Sequence, residues 1–430
     1  MILLTLIVNL IVISSVAWMG WKKTDHPLQI FYWPAFILKL LGGICVGLIY
    51  KYYYVTGDTL MYYHDGTMLA SLAREDPAMY FKFLWRGDET FDVWKSLSYI
   101  ESRALFMVKF TSVIDLLTAD NYWVATLYFS LLSFLSSWNL VRVVVRQIPR
   151  ALFPVAMSFL FVPSVVLWSS GLIKESLALA SLFFLSTLAF KLWFKLQLKY
   201  WEWIMIPISI WVLWNLKYYY LAVFFPVATA SLISQMLFAG YLRSKALAIK
   251  IIVWNTLLLL PLIGISLVHP NFYPEVFLEV IVSNYNAFHS ISAPGDVISF
   301  VDLQPTVASV LRHAPWALVS GLLRPFPWEA GNVFQIILAA ENVLIFLLSI
   351  TSLTRLVNDV HSQYRLLLFT LFVYSVGLCL FLTLSTPNFG TLSRYRVGFL
   401  PYYFLLITVD NPVVMRLSRF AQRNSRYLVR

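Results

Sequence analysis

Residues 151–190 read ALFPVAMSFLFVPSVVLWSSGLIKESLALASLFFLSTLAF, and Lys174 and Glu175 are the only charged positions among them. A barrel strand crosses a bilayer in about ten residues and a helix in about twenty, so a run this long is two helices. Ser169-Ser170-Gly171 supplies the turn between them. A second apolar run covers 249–268. Backbone groups in lipid must find partners within their own segment, and these runs are too long for barrel strands.

The composition agrees: 60% of the 430 residues are apolar, 17% aromatic and 12% charged. Soluble domains carry about a quarter charged residues, so this chain could not cover a globule with polar surface. The expected fold class is all-α, a polytopic transmembrane helical bundle of about ten or eleven spans. It forms a single integral membrane domain, 1–430, with external elaborations at 55–120 and 269–332. No internal repeat or Gly/Ser linker divides it. Cys45 and Cys379 both lie in apolar stretches, which argues against a disulfide framework or a thiolate metal site.

The first run, 1–21, lacks a basic start and a small-residue cleavage site and reads as a retained span. Lys22 and Lys23 follow it and place that loop inside. An amphipathic stretch at 28–38 is expected in the interface. A second span then begins at Lys39 and emerges at Tyr50, Tyr52, Tyr53 and Tyr54. Further spans are expected near 122–141, 151–169, 172–190, 201–215, 218–238, 249–268, 333–354, 366–384 and 397–409. On this topology the inside loops and tail hold 19 of the 32 Lys+Arg and 4 of the 21 Asp+Glu. The formal charge of +11 thus marks the cytoplasmic side rather than a nucleic-acid surface. The tail arginines Arg416, Arg419, Arg423, Arg426 and Arg430 complete the pattern. The N-terminus is expected outside and the C-terminus in the cytoplasm. If 201–238 were one span, the later segments would flip and the tail would break the rule, so two spans are expected there.

Five polar patches fall on the outer side. In Thr56-Gly57-Asp58-Thr59, followed by Tyr62, Tyr63, His64 and Asp65, the two aspartates stand seven residues apart, about two helical turns. A carboxylate at the lipid boundary is partly desolvated, which suits a general base. The competing reading makes Asp58 or Thr59 a helix N-cap. Lys174 and Glu175 open the helix after the Ser-Ser-Gly turn, where free N–H groups favour an anion. Lys217, before three tyrosines, reads mainly as a snorkelling lysine in an aromatic belt. Arg324-Pro325-Phe326-Pro327-Trp328-Glu329 forms a rigid, non-helical segment, and Glu341 follows inside a span, where an ionisable group marks function by default. Arg394, Tyr395 and Arg396 put two arginines at the outer boundary against the positive-inside rule, where their forks suit phosphate or carboxylate. The competing readings are a satisfied buried Glu341 and arginines paired with external acids. The outer ends of three spans are expected to bring Asp58, Lys174 and Arg394 around one cavity.

No P-loop, dinucleotide fingerprint, His-Glu-x-x-His or Gly-x-Ser-x-Gly occurs, which argues against soluble nucleotide chemistry. No cofactor is expected, and the sequence leaves a divalent-metal requirement open.

The residues at 57–65, 163–175, 324–341 and 391–401 resemble bacterial multispan proteins of polysaccharide assembly. They look like GT-C-type glycosyltransferases that use lipid-linked sugars, and like O-antigen polymerases. The resemblance implies a first-loop carboxylate acting on the acceptor, a position that Asp58 and Asp65 match. It implies basic residues that hold a polyprenyl phosphate, a part for Arg394, Arg396, Lys174 and Arg324. Tyr62, His64, Glu175, Lys217, Trp328, Glu329, Glu341 and Tyr395 would then contact substrate. The chain departs from many GT-C enzymes in lacking an adjacent acidic pair in the first loop. The implied activity is transfer or polymerisation of sugar at the outer face of the bacterial inner membrane. Its implied partners are the bilayer, the polyprenyl-linked saccharide and other polysaccharide-assembly proteins, and nucleic acid is not among them. The rival readings are a transporter or flippase of a lipid-linked glycan, and a non-catalytic assembly subunit.

Overall fold

The computed structural model describes residues 2–54, 57–242, 245–273, 276–292, 294–354 and 364–425. Thr56, Arg426 and Arg430, named above, lie outside that set, as does the side chain of Arg423. Among the described residues the regular structure is helical, with one isolated antiparallel bridge, Val297 with Asn388, and no strand. Eight helices among them are long and apolar enough to cross a membrane, by length and composition.

Fewer helices qualify than the ten or eleven spans expected, and the differences have local causes. Residues 151–169 break into three pieces: Leu152–Ala156, a π-helical turn Met157–Phe161, and Pro163–Trp168. Proline has no N–H to give the preceding turn, and the π turn absorbs the mismatch. Residues 397–409 form a 3-10 turn and a nine-residue helix, Leu400–Thr408, about 14 Å long and short of a bilayer. The helix Tyr200–Ala239 counts as one element but breaks at Lys217, whose backbone leaves the helical region (φ −145°, ψ 60°). Conversely, 28–38 is no separate interfacial helix. His26–Ile49 is continuous, and Pro27 stands in its first turn, where a missing N–H costs nothing.

The chain divides into two compact units. The first comprises Met1–Val143, Val165–Leu188 and Leu198–Tyr218. In it the turn after Trp168 is buried against the helix His26–Ile49. Ser169 and Ser170 are fully buried, Gly171 takes a positive φ of 75°, and its N–H donates to Ser130 Oγ at 3.0 Å. Gly43 is required at the crossing, because a Cβ there would collide with Ser130 Oγ and approach the Gly171 nitrogen to 3.1 Å. Irregular backbone at this depth survives because protein, not lipid, surrounds it. Over the same unit, the helices Asp58–Glu75 and Ser102–Thr118 pack together, with Pro77–Trp85 beside them. The second unit comprises Val144–Ser164, Ala189–Gln197 and Tyr219–Arg430. There Phe277–Ile291 and Val307–Leu323 pack on Arg365–Ser385, which also meets Leu400–Thr408.

Candidate functional site

In the first unit, four side chains from three separate segments form a connected group. Asp58 opens the helix Asp58–Glu75, and the N-cap position belongs to Gly57, which has no side chain to cap with. The Asp58 carboxylate instead accepts a hydrogen bond from the Tyr99 hydroxyl at 2.9 Å. The Tyr99 ring lies 5.0 Å from that of Tyr62, and Lys174 Nζ sits 5.3 Å from the Tyr62 ring centroid. A lysine over an aromatic face is held by the ring's quadrupole. Asp58 and Lys174 are both partly exposed. The group therefore brings together a carboxylate with a phenol donor and a lysine ammonium.

Asp65 is not a second copy of Asp58. It is fully buried, and its Oδ2 accepts from the backbone N–H groups of Ser98 and Tyr99, both at 2.9 Å. Its work is to hold the loop that presents Tyr99. His64 projects outward with its side chain 66% exposed, its Nδ1 3.4 Å from Asp65 Oδ1. Lys217 is not snorkelling: its ammonium lies 2.8 Å from Glu175, and both side chains are buried. The backbone break at Lys217 accompanies this pair.

In the second unit the polar residues form an interlocked frame. Glu341 is buried and accepts from Ser164 through both N–H (2.8 Å) and Oγ (2.6 Å), so it ties one candidate span to the start of Pro163–Trp168. Arg396 is buried too, and its Nη2 donates to Asn342 Oδ1 at 2.9 Å and to the Leu322 carbonyl at 3.2 Å. Leu322 sits in the last turn of Val307–Leu323, where free carbonyls favour a cation. Asn342 in turn donates to the Pro325 carbonyl at 3.1 Å. Both Arg396 Nη atoms thus bond the protein itself, and its Nε is buried with no hydrogen-bond partner. Arg324 pairs with Glu329 at 2.5 Å and lies over the Phe389 ring. Burial alone would raise the Glu329 carboxyl, but hydrogen bonds from Arg324 and the Phe326 N–H outweigh it and hold its pKa below the usual value. Trp328 is 81% exposed and stacks on Phe326 at 4.9 Å. Arg394 is partly exposed in the last turn of Phe389–Tyr395, and the Tyr395 carbonyl accepts from the Tyr220 hydroxyl at 2.7 Å. Asp58 and Lys174 thus share one unit, and Arg394 belongs to the other.

Two residues escaped sequence reasoning. Tyr99 lies in an irregular segment with no periodicity to mark it. Asp115 did carry a signal, an acid between Ile114 and Leu116-Leu117. It is fully buried in Ser102–Thr118, and neither carboxylate oxygen has a hydrogen-bond partner. Burial pushes its pKa up to about 8, with the Asp120 charge adding and Arg74 opposing. Across from it Gly66 is obligatory, since a Cβ there would come within 2.8 Å of Asp115 Oδ2.

Among the described residues, no group of three or more His, Cys, Asp or Glu is placed to hold a metal ion. Both cysteines are free. No family model, curated protein or solved structure matches the chain.

Proposed function

We propose that this membrane protein is a transferase acting at the non-cytoplasmic face, and more specifically a glycosyltransferase or polysaccharide polymerase using a polyprenyl-phosphate-linked sugar. One observation carries the reading: Asp58 and Lys174, over a hundred residues apart, belong to one cluster through Tyr99 and Tyr62. A sugar linked to phosphate already carries its leaving group. The protein must accept a proton from the acceptor hydroxyl and neutralise the departing phosphate. In the proposed step Asp58 takes the hydroxyl proton, and the acceptor oxygen bonds the anomeric carbon. The bond from that carbon to the phosphate oxygen breaks, and Lys174 meets the anion released. Tyr62 is fully buried and holds Lys174 through its ring rather than meeting sugar. The basic-residue asymmetry supports the topology proposed with it, N-terminus outside and tail in the cytoplasm, and the resemblance to polysaccharide-assembly proteins implies a bacterial inner membrane.

The test is sugar transfer by protein purified from membranes, with Asp58→Asn and Lys174→Gln beside the parent chain. Both variants should reach normal membrane levels, Asp58→Asn losing product at least a hundredfold and Lys174→Gln about tenfold. Full activity in both would refute the assignment. The buried Glu175–Lys217 pair at a broken helix favours a second reading, a flippase of the same lipid-linked glycan, since transporters place charges at interrupted helices. That reading requires translocation with no new glycosidic bond.

A further inference from the structure

In the second unit the helical segment after Lys217, the helix Leu247–Val268 and the helix Arg365–Ser385 enclose a cleft of about 520 Å³. Its walls are apolar almost throughout, and its two ends differ. Val227, Leu258 and Val373 line one end. Tyr219, Ser266, Phe272, Phe277 and Phe381 line the other, with Phe277 and Phe381 stacked at 6.2 Å. Between Tyr219 and Val227 the wall runs about eight helical residues, or roughly 12 Å. The aromatic end leads to the basic segment at 394–396: the Tyr219 ring lies 6.1 Å from Tyr395, and Tyr220 bonds the Tyr395 carbonyl.

We infer that this cleft holds the hydrocarbon chain of one anionic membrane lipid, with its phosphate at the aromatic end beside Arg394. The three walls are themselves candidate membrane spans, so lipid chains are the solvent that reaches them. A volume of this size falls within the roughly 300–1,000 Å³ of sites that take a single small molecule. The aliphatic end has nothing to offer a polar group, which fixes the direction of insertion. The aromatic end supplies the amphipathic Tyr219 ring, which lies beside Tyr395, and the adjoining residue in the chain, Arg394, carries a charge that complements phosphate. The cleft would hold a lipid whether or not the chain transfers sugar.

The experiment uses the full chain in nanodiscs of phosphocholine lipid. They are doped with a phosphatidic acid carrying a diazirine at the end of one chain, and crosslinked peptides are mapped by mass spectrometry. Labelling should concentrate at 223–227, 258–262 and 373–377, and the same probe on a phosphocholine headgroup should label these peptides several-fold less. Gly377→Leu puts a side chain into the cleft, where a Cβ meets only Val223 at an ordinary 3.6 Å, and should cut the labelling about tenfold. Leu262→Trp fills the same space from another helix and serves where Gly377→Leu fails to fold. Arg394→Gln should abolish the preference for the anionic headgroup over the zwitterionic one while leaving chain labelling in place. Labelling spread evenly over the lipid-facing helices and indifferent to both filling variants would overturn the inference. So would crosslinks showing a second copy of the chain or another protein seated in the cleft.

Discussion

Replacing Asp115 with asparagine should stabilise the helix pair Asp58–Glu75 and Ser102–Thr118, by an amount that depends on pH. The carboxyl rises from an ordinary 3.8 to about 8 because burial leaves it without water or a hydrogen-bond donor. A raised carboxylate pKa means that the folded chain prefers the protonated form. Below the unfolded pKa both states are protonated and nothing is lost. Between about 4 and 8 the unfolded chain ionises while the folded chain resists, so stability falls with rising pH, and above 8 the loss levels off. At pH 7 the gap is about three units, on the order of 4 kcal/mol at 1.36 kcal/mol per unit. Asparagine keeps the shape and cannot ionise, so it removes this slope. Hydrogen exchange of residues 58–118, corrected for intrinsic rates, reads the effect without requiring whole-protein two-state unfolding. Asp115→Asn should show at least tenfold greater protection than the parent at pH 8 and a difference of no more than about threefold at pH 4. Equal protection at both pH values, or a parent chain better protected at pH 8, would refute the reasoning.

Glu175→Gln and Lys217→Met should each lower thermal stability, on the order of 3–5 kcal/mol, by leaving one buried charge alone. The double variant should recover most of that loss in the same melt, and single variants without effect would show the pair to be solvated. Arg396→Lys should cost about 1–3 kcal/mol of stability, because an ammonium cannot reach both Asn342 and the Leu322 carbonyl. Unchanged stability with lost product would return Arg396 to a ligand-binding role. Asp65→Ala should free the Ser98–Tyr99 loop to limited proteolysis and reduce product even with Asp58 intact, since Tyr99 loses its support. A loop that stays protected would show that packing alone holds it.

The sequence makes the class of fold legible because lipid imposes one rule on every span, and apolar runs obey it visibly. It also locates the break at 169–173, since Ser-Ser-Gly divides a run too long for one helix. Lys39 shows where such reading stops. A charge in an apolar run suggests a helix boundary, yet Lys39 is buried mid-helix and donates to Ser169 Oγ, a partner supplied by tertiary packing. Pairing is hidden for the same reason at Glu341, whose partner Ser164 lies 177 residues away. Asp58 and Asp65 look equivalent by spacing, and only the loop at 98–99 distinguishes an exposed carboxylate from a buried anchor. Asp115 is readable by the logic applied to Glu341, but the polar residues around it in 55–120 mask the apolar run it interrupts.

The most direct measurement is a single-turnover assay on the purified chain in lipid vesicles, with a radiolabelled sugar on polyprenyl phosphate and an acceptor saccharide. Sugar in glycosidic linkage to the acceptor and released polyprenyl phosphate should appear in equal amounts, with the donor supplied at the non-cytoplasmic face. Donor that crosses the bilayer intact, with no new glycosidic bond under any orientation of the protein, would contradict the account.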